Sequence, residues 1–279
     1  MASYYNEVDP FAAAWLRELI KVGLIADGEV DDRSIELVRP DDLRGFVQCH
    51  FFAGIGGWSR ALRLASWDDG RPVWTGSCPC QPWSVAGVGE GAYDSRHLWP
   101  AWFGLIRECR PSVLFGEQVA SKDGLFWLDL VYVDLESEGY AVGASDLCAA
   151  SVGANHIRPR LWLVADTNRY GRQGFSDRRD APAPALEQAW STARGTPAPP
   201  HHTYAKCREW TLSGQTGRVG REDGISWYGH WEIAPEPFLR RGADGFSERV
   251  GRLRGYGNAI VPAVAQVFIE AYMSVAATE

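Results

Sequence analysis

Two short segments hold residue types from which group-transfer chemistry is built. In Gly76-Ser77-Cys78-Pro79-Cys80-Gln81-Pro82-Trp83-Ser84, Cys80 stands between a proline and a polar residue at the expected carboxyl end of a strand. A thiolate there can reach a substrate and act as a nucleophile; the bland alternative is a buried small hydrophobe. The second segment is Phe52-Ala53-Gly54-Ile55-Gly56-Gly57. Its glycines let the backbone approach a nucleotide closely, and the N-terminus of a following helix favours a carboxylate or phosphate. A dinucleotide fingerprint would need a third glycine where Ser59 stands and an acid about 20 residues on, whereas Asp68 and Asp69 come earlier. A metal site built from Cys49, His50, Cys78 and Cys80 has Cys-x-Cys in place of Cys-x-x-Cys spacing. No His-x-Glu precedes the cysteines, which excludes a zinc deaminase.

The surrounding pattern supplies the elements that must position these segments. Asp9-Pro10 starts a helix that Gly23 stops, with Trp15, Leu19 and Val22 at helical spacing. The run Phe46-Val47-Gln48-Cys49-His50-Phe51-Phe52 reads as a strand, followed by a helix from Trp58 and a short strand over Pro72-Val73-Trp74-Thr75. A helix near 98–109, a strand at Val113-Leu114-Phe115, a helix near 123–138 and apolar runs at 140–148 and 161–165 continue the alternation. Such a series predicts an α/β fold with a largely parallel sheet, its active residues in the loops after Phe52, Gly76 and Phe115. Residues 167–225 are rich in Gly, Pro, Ser, Thr and Arg, with Pro182, Pro184, Pro197, Pro199 and Pro200 inside one twenty-residue stretch. They read either as a flexible insertion or as a small recognition region. A last apolar helix is expected from Ala259 to Met273, with Pro262 in its first turn.

Composition narrows the class of partner. The chain has 279 residues, 46% of them apolar, and a net charge of −7. That sign excludes a polybasic coat on nucleic acid. Residues 1–150 carry 12 basic and 22 acidic side chains, and residues 156–256 carry 16 and 11, so the positive balance is local. Of the 28 basic residues 25 are arginines, whose planar forks suit phosphate and base-edge contacts; an Arg-rich proteome is the alternative source of the bias. The six cysteines form no secreted framework, no stretch is long and apolar enough to span a bilayer, and the first residues lack a signal pattern. A cytoplasmic protein with reduced thiols is the expectation.

The ordered motifs together resemble those of the DNA (cytosine-5)-methyltransferase family. Phe52 to Gly57 resembles its cofactor loop and Pro79-Cys80-Gln81 its catalytic loop. Asp94-Ser95-Arg96 with Leu98 resembles the next segment. Glu117-Gln118-Val119 stands where the family has Glu-Asn-Val. His156 with Arg158-Pro159-Arg160 stands where it has Gln-x-Arg-x-Arg, and Gly257-Asn258-Ala259-Ile260-Val261-Pro262 resembles the C-terminal motif that returns beside the cofactor loop. The resemblance implies a Rossmann-like S-adenosylmethionine-dependent core over residues 1–166, with a helical N-terminal extension and a shortened sheet. It further implies a small target-recognition region over 167–250 and a C-terminal motif and helix over 251–279.

It implies that Cys80 adds to C6 of cytosine and that Glu117 supplies a proton at N3. Arg158 and Arg160 would contact a cytosine flipped out of double-stranded DNA. Phe52, Ala53, Gly54, Ile55, Gly56, Gly57, Pro79, Leu98, Asn258 and Ala259 would line the S-adenosylmethionine site. A monomer acting on DNA, with no membrane and no metal, is expected. Only 22 residues separate Gly57 from Cys80, too few for the two further strands whose acids hold the cofactor ribose and adenine in the family. Asp68, Asp69 or a residue of the first 45 are the candidates to replace those acids. The altered cofactor side also leaves open a different one-carbon donor, or a catalytically degenerate DNA-binding relative.

Overall fold

The computed structural model describes residues 2–79, 98–167 and 259–277. Their strands form one seven-stranded sheet. In chain order these are β1 (Ser3–Asn6), β2 (Gly28–Asp31), β3 (Gln48–Phe51), β4 (Val73–Gly76), β5 (Val113–Val119), β6 (Ala141–Cys148) and β7 (Pro159–Asp166). The helices are α1 (Pro10–Lys21), α2 (Gly57–Leu64), α3 (Trp99–Cys109), α4 (Lys122–Ser137) and α5 (Pro262–Ala277). The spatial order is β2-β1-β3-β4-β5-β7-β6. The pairs from β2 to β5 are parallel, and β7 runs antiparallel to both β5 and β6.

The period-two alternation of the strands divides the core between two faces. Phe51, Trp74, Leu114 and Leu163 point to one side and meet Trp99, Trp102, Ile106, Trp127 and Val131 of α3 and α4. Val73, Val113, Phe115 and Trp162 point to the other and meet Trp58 and Leu62 of α2 with Val264 and Phe268 of α5. On that second side α1 covers the β1 end, where Leu16 packs with Tyr5, Ile25 and Ala53. Cys49 and His50, neighbours on β3, therefore face opposite layers and cannot converge on one metal ion. His50 instead bonds Thr75 Oγ1 through Nδ1 at 2.8 Å and stacks on Tyr5.

The mostly parallel α/β sheet is as expected, but it is not shortened. The segment read as a helical extension supplies two strands as well as α1, and β1 lies inside the sheet between β2 and β3. If the glycine-loop strand β3 is counted first, this is the doubly wound order 3-2-1-4-5, with its second and third strands placed ahead of the first in the chain. All four residues of β1 are buried, including Ser3 and Asn6, so it lacks the polar–apolar alternation that reveals a half-exposed strand.

The expected α1 is present, capped by Asp9 Oδ1 accepting from Phe11 N and Ala12 N at 3.0 Å. Its buried stripe is Ala12, Ala13 and Leu16, whereas Val22, expected on the apolar face, is exposed beyond the last turn. β5 also runs past Phe115 to Val119, placing Glu117 and Gln118 in the strand and not in the loop after it. Among the described residues no helix is long and apolar enough to cross a membrane.

Candidate active site

The carboxyl ends of β1, β3, β4 and β5 lie side by side, and the candidate side chains sit there. After β3 the backbone turns through left-handed conformations at Phe52, Gly54 and Gly56, with φ values of 51°, 55° and 82°. Phe52 bears that conformation with a side chain, a strained choice that its edge contact with Trp102 helps to hold. A Cβ on Gly54 would meet nothing within 4 Å, so the loop is open on that side. On the packed side a Cβ on Gly57 would come within 2.6 Å of Ile260 Cγ1, which is why the C-terminal segment can lie against the start of α2.

The acid nearest this loop comes from the chain's first strand. Glu7 follows β1 directly, and its Oε2 accepts from Gly54 N at 2.7 Å while Oε1 accepts from Asp9 N at 2.9 Å. Burial pushes the Glu7 carboxyl above the usual carboxylate range, against the two backbone N–H groups that favour its ionised form. A carboxylate has about four lone-pair sites, so Glu7 keeps acceptor capacity toward the open side of the loop. Asp68 and Asp69, the downstream candidates, lie in the turn before β4, at the opposite edge of the sheet. Asp69 pairs with Arg63 at 2.7 Å and Asp68 accepts from Gly70 N. β2 ends at Asp31, whose carboxylate is taken up by Tyr4 and Arg33. The next residue, Asp32, is exposed and pairs with Arg17.

At the ends of β4 and β5 a second group of polar residues is buried. Glu117 Oε1 meets Arg160 Nε at 2.7 Å, and its side chain is only 9% exposed. Burial raises the Glu117 carboxyl above its ordinary range, opposed chiefly by the Arg160 charge and also by Ser77 and Arg158. Arg158 Nη2 donates to Ala259 O at 2.6 Å, tying the segment before β7 to the C-terminal motif. Burial and the nearby Arg160 charge make the Arg158 guanidinium easier to deprotonate than usual. Arg158 also adopts a left-handed φ of 41°. Gln118 Nε2 donates to Cys78 O at 3.0 Å, bracing the backbone two residues before Cys80.

Glu117, Arg158, Arg160, Ala259 and the glycine loop, residues 52–57, therefore gather at one edge of the sheet. Pro79 is exposed after β4, and Leu98 precedes α3, half-buried against its aromatic core. Cys80 and Asn258 lie outside the described residues, as do the expected recognition region and Asp94 to Arg96. Sequence reasoning allowed a residue of the first 45 as well as Asp68 and Asp69, but did not single out Glu7. The readable signal was an acid directly ahead of the Asp9-Pro10 helix start, the position a nucleotide-binding βα turn uses.

The family model for C-5 cytosine-specific DNA methylase matches residues 73–195. Over that segment the chain is similar to the DNA cytosine-5-methyltransferase family. It is 32% identical over 92 residues to the type II methyltransferase M.AplI of Arthrospira platensis, covering 32% of this chain and 27% of that protein. It is 25% identical over 156 residues to the type II methyltransferase M.HgiBI of Herpetosiphon aurantiacus, covering 54% and 34%. The chain thus spans about a third or less of the length of these relatives. Among solved structures, the Dnmt2 methyltransferase of S. pombe aligns over 97% of this chain and 98% of its own, with 12% identity and a TM-score of 0.45. The match to the family model begins at Val73, the first residue of β4, and takes in Cys80, Glu117, Arg158 and Arg160. The glycine loop and both early strands precede it.

Proposed function

We propose that this chain transfers a methyl group from S-adenosylmethionine to C5 of cytosine in double-stranded DNA, through a covalent bond between Cys80 and C6 of a flipped base. The observation that carries this reading is the buried Glu117 carboxyl, held by Arg160 beside the segment that leads from β4 to Cys80. A carboxyl that retains its proton can give it to N3 as Cys80 adds to C6, neutralising charge that would otherwise build on the ring. Arg160 orients Glu117, and Arg158 joins this centre to Ala259 beside the cofactor loop. Gln118 holds the Cys78 carbonyl at the end of β4. Once C5 carries the methyl group, its proton passes to water, the Cys80–C6 bond breaks, and N3 returns its proton to Glu117, restoring the ring.

The residues present fit the cofactor. Gly54 is open toward a ligand, Glu7 offers spare acceptor sites to ribose hydroxyls, and the N-terminus of α2 suits a carboxylate. Phe52 to Gly57, Glu7, Pro79, Leu98, Asn258 and Ala259 would hold S-adenosylmethionine, which supplies an electrophilic methyl group to C5. A different one-carbon donor was suggested by the missing acid-bearing strands, and β1 with Glu7 removes that reason. In this reading residues 167–250 read the target sequence, Arg side chains meet the phosphates, and the protein acts as a cytoplasmic monomer.

The test is transfer of labelled methyl from S-adenosylmethionine to DNA, set against Cys80→Ser. Label well above the variant's background is expected, and its absence from folded protein overturns the reading. Trapping on 5-fluorocytosine DNA that does not require S-adenosylmethionine would point to another donor.

A further inference from the structure

Ser77 lies between the cofactor loop and the buried acid, and the reading above gives it no part. Registration of β4 with β5 pairs Thr75 with Phe115 and Gly76 with Gly116, so Ser77 falls beside Glu117 on the same face. That face also carries Trp162, the partner of Glu117 across β5 and β7. The Trp58 indole, buried in the first turn of α2, donates from Nε1 to Ser77 Oγ at 3.1 Å. Its ring is fixed by stacking on Phe115 at 6.1 Å and by an edge contact with Trp162 at 5.4 Å.

An indole N–H can only donate, so Ser77 must accept from Trp58, which frees its own proton for another acceptor. Glu117 is the neighbouring acceptor on that face, and the Ser77 hydroxyl favours its ionised form. The charged groups acting on Glu117 are Arg160 of β7 and Arg158 ahead of it, both cationic. Arg160 meets it at 2.7 Å, and both Arg160 and Ser77 favour the ionised carboxyl.

We infer that Ser77, oriented by the Trp58 indole, is a positioning residue for Glu117: it holds the carboxyl between two donors and leaves the target base as the outlet for its proton. The same bridge links the first turn behind the glycine loop to the proton donor, joining the cofactor and base ends of the site. The inference rests on the methyltransferase reading for its catalytic meaning, but not for its chemistry. A donor to the ionised carboxyl favours that form, so removing it lets Glu117 keep its proton to higher pH.

The test compares Ser77→Ala, Ser77→Thr and Trp58→Phe with the unaltered full chain. The Glu117 carboxyl is titrated without substrate by infrared difference spectroscopy, with Glu117→Gln identifying its band. Ser77→Ala is expected to move that titration, and the alkaline limb of the methyl-transfer profile, upward by about one pH unit. Trp58→Phe, which keeps a ring in the packing, moves both in the same direction by less, and Ser77→Thr restores the original midpoint. Variants that lose activity or melt earlier with both midpoints unmoved would leave Ser77 a packing residue and overturn the inference. A shifted infrared titration in a protein with no methyl transfer would uphold the Ser77–Glu117 link while rejecting the methyltransferase reading.

Discussion

Glu7→Ala tests whether the strand ahead of the glycine loop completes the cofactor site. The change removes two charge-assisted hydrogen bonds, from Gly54 N at 2.7 Å and Asp9 N at 2.9 Å. Gly54 is only partly buried, so its freed N–H can find water and the fold loses about 1–3 kcal/mol. Binding of S-adenosylmethionine loses more specifically. If the spare acceptor sites of Glu7 take ribose hydroxyls, bonds to a charged acceptor are worth about 1.5–3 kcal/mol, and Kd rises by about 10- to 100-fold. Isothermal titration with S-adenosylmethionine reads this directly, with circular dichroism confirming that the variant is folded. Asp69→Ala is the matched control: its carboxylate pairs with Arg63 at the far edge of the sheet, and Kd should stay within about twofold. A folded Glu7→Ala protein that binds as tightly as the unaltered chain would refute the assignment, as would a larger effect from Asp69→Ala.

The remaining predictions concern packing and protonation. A Cβ at Gly76 would lie 2.4 Å from Trp102 Cη2, so Gly76→Ala should cost at least about 1–3 kcal/mol by overpacking, whereas Gly104→Ala in α3 has open space and should stabilise by about 0.5–1 kcal/mol. Thermal denaturation separates the two, and a Gly76→Ala protein as stable as Gly104→Ala would contradict the geometry. Gln118→Ala removes the hydrogen bond to the buried Cys78 carbonyl and should cost about 0.5–1.5 kcal/mol in chemical denaturation while slowing methyl transfer. The folded-state Glu117 carboxyl titrates above its unfolded value of 4.5, so the folded protein binds that proton more tightly and the associated stability is present below pH 4.5. It is lost as pH rises through the raised value. The stability of the unaltered chain relative to Glu117→Gln should therefore fall as pH rises from about 4.5, and a difference flat across pH 4–8 would refute it.

The readable parts of this chain are those in which local chemistry and the fold agree. Asp9 and Pro10 define the start of α1 through a cap and a fixed φ, and the glycines after β3 mark a turn that left-handed backbone requires. β1 and β2 escape notice although they are no shorter than β3 and β4: β2, Gly28-Glu29-Val30-Asp31, has one apolar residue and no buried one. β1, buried on both faces, includes a serine and an asparagine whose side chain bonds the backbone of Asp31 and Arg33. The strand ending at Phe115 reads as short for a related reason. Glu117 and Gln118 look like loop residues, yet both are buried in β5 because Arg160 and the Cys78 carbonyl satisfy them. The motifs singled out Glu117 and the two arginines, while Glu7 and Ser77 depended on pairings between strands distant in sequence.

The place of β1 has a consequence for how the site comes into being during synthesis. Ser3 pairs with Gly28 on one side and Gln48 on the other, so everything that holds Glu7 against Gly54 is contained in roughly the first 57 residues. A nascent chain can thus settle this corner before Glu117 or Arg160 has been made. The opposite wall arrives last, when Ile260 seats against Gly57 and Ala259 accepts from Arg158. A chain halted before residue 259 would lack the contacts that close Gly57 and Arg158 on that side.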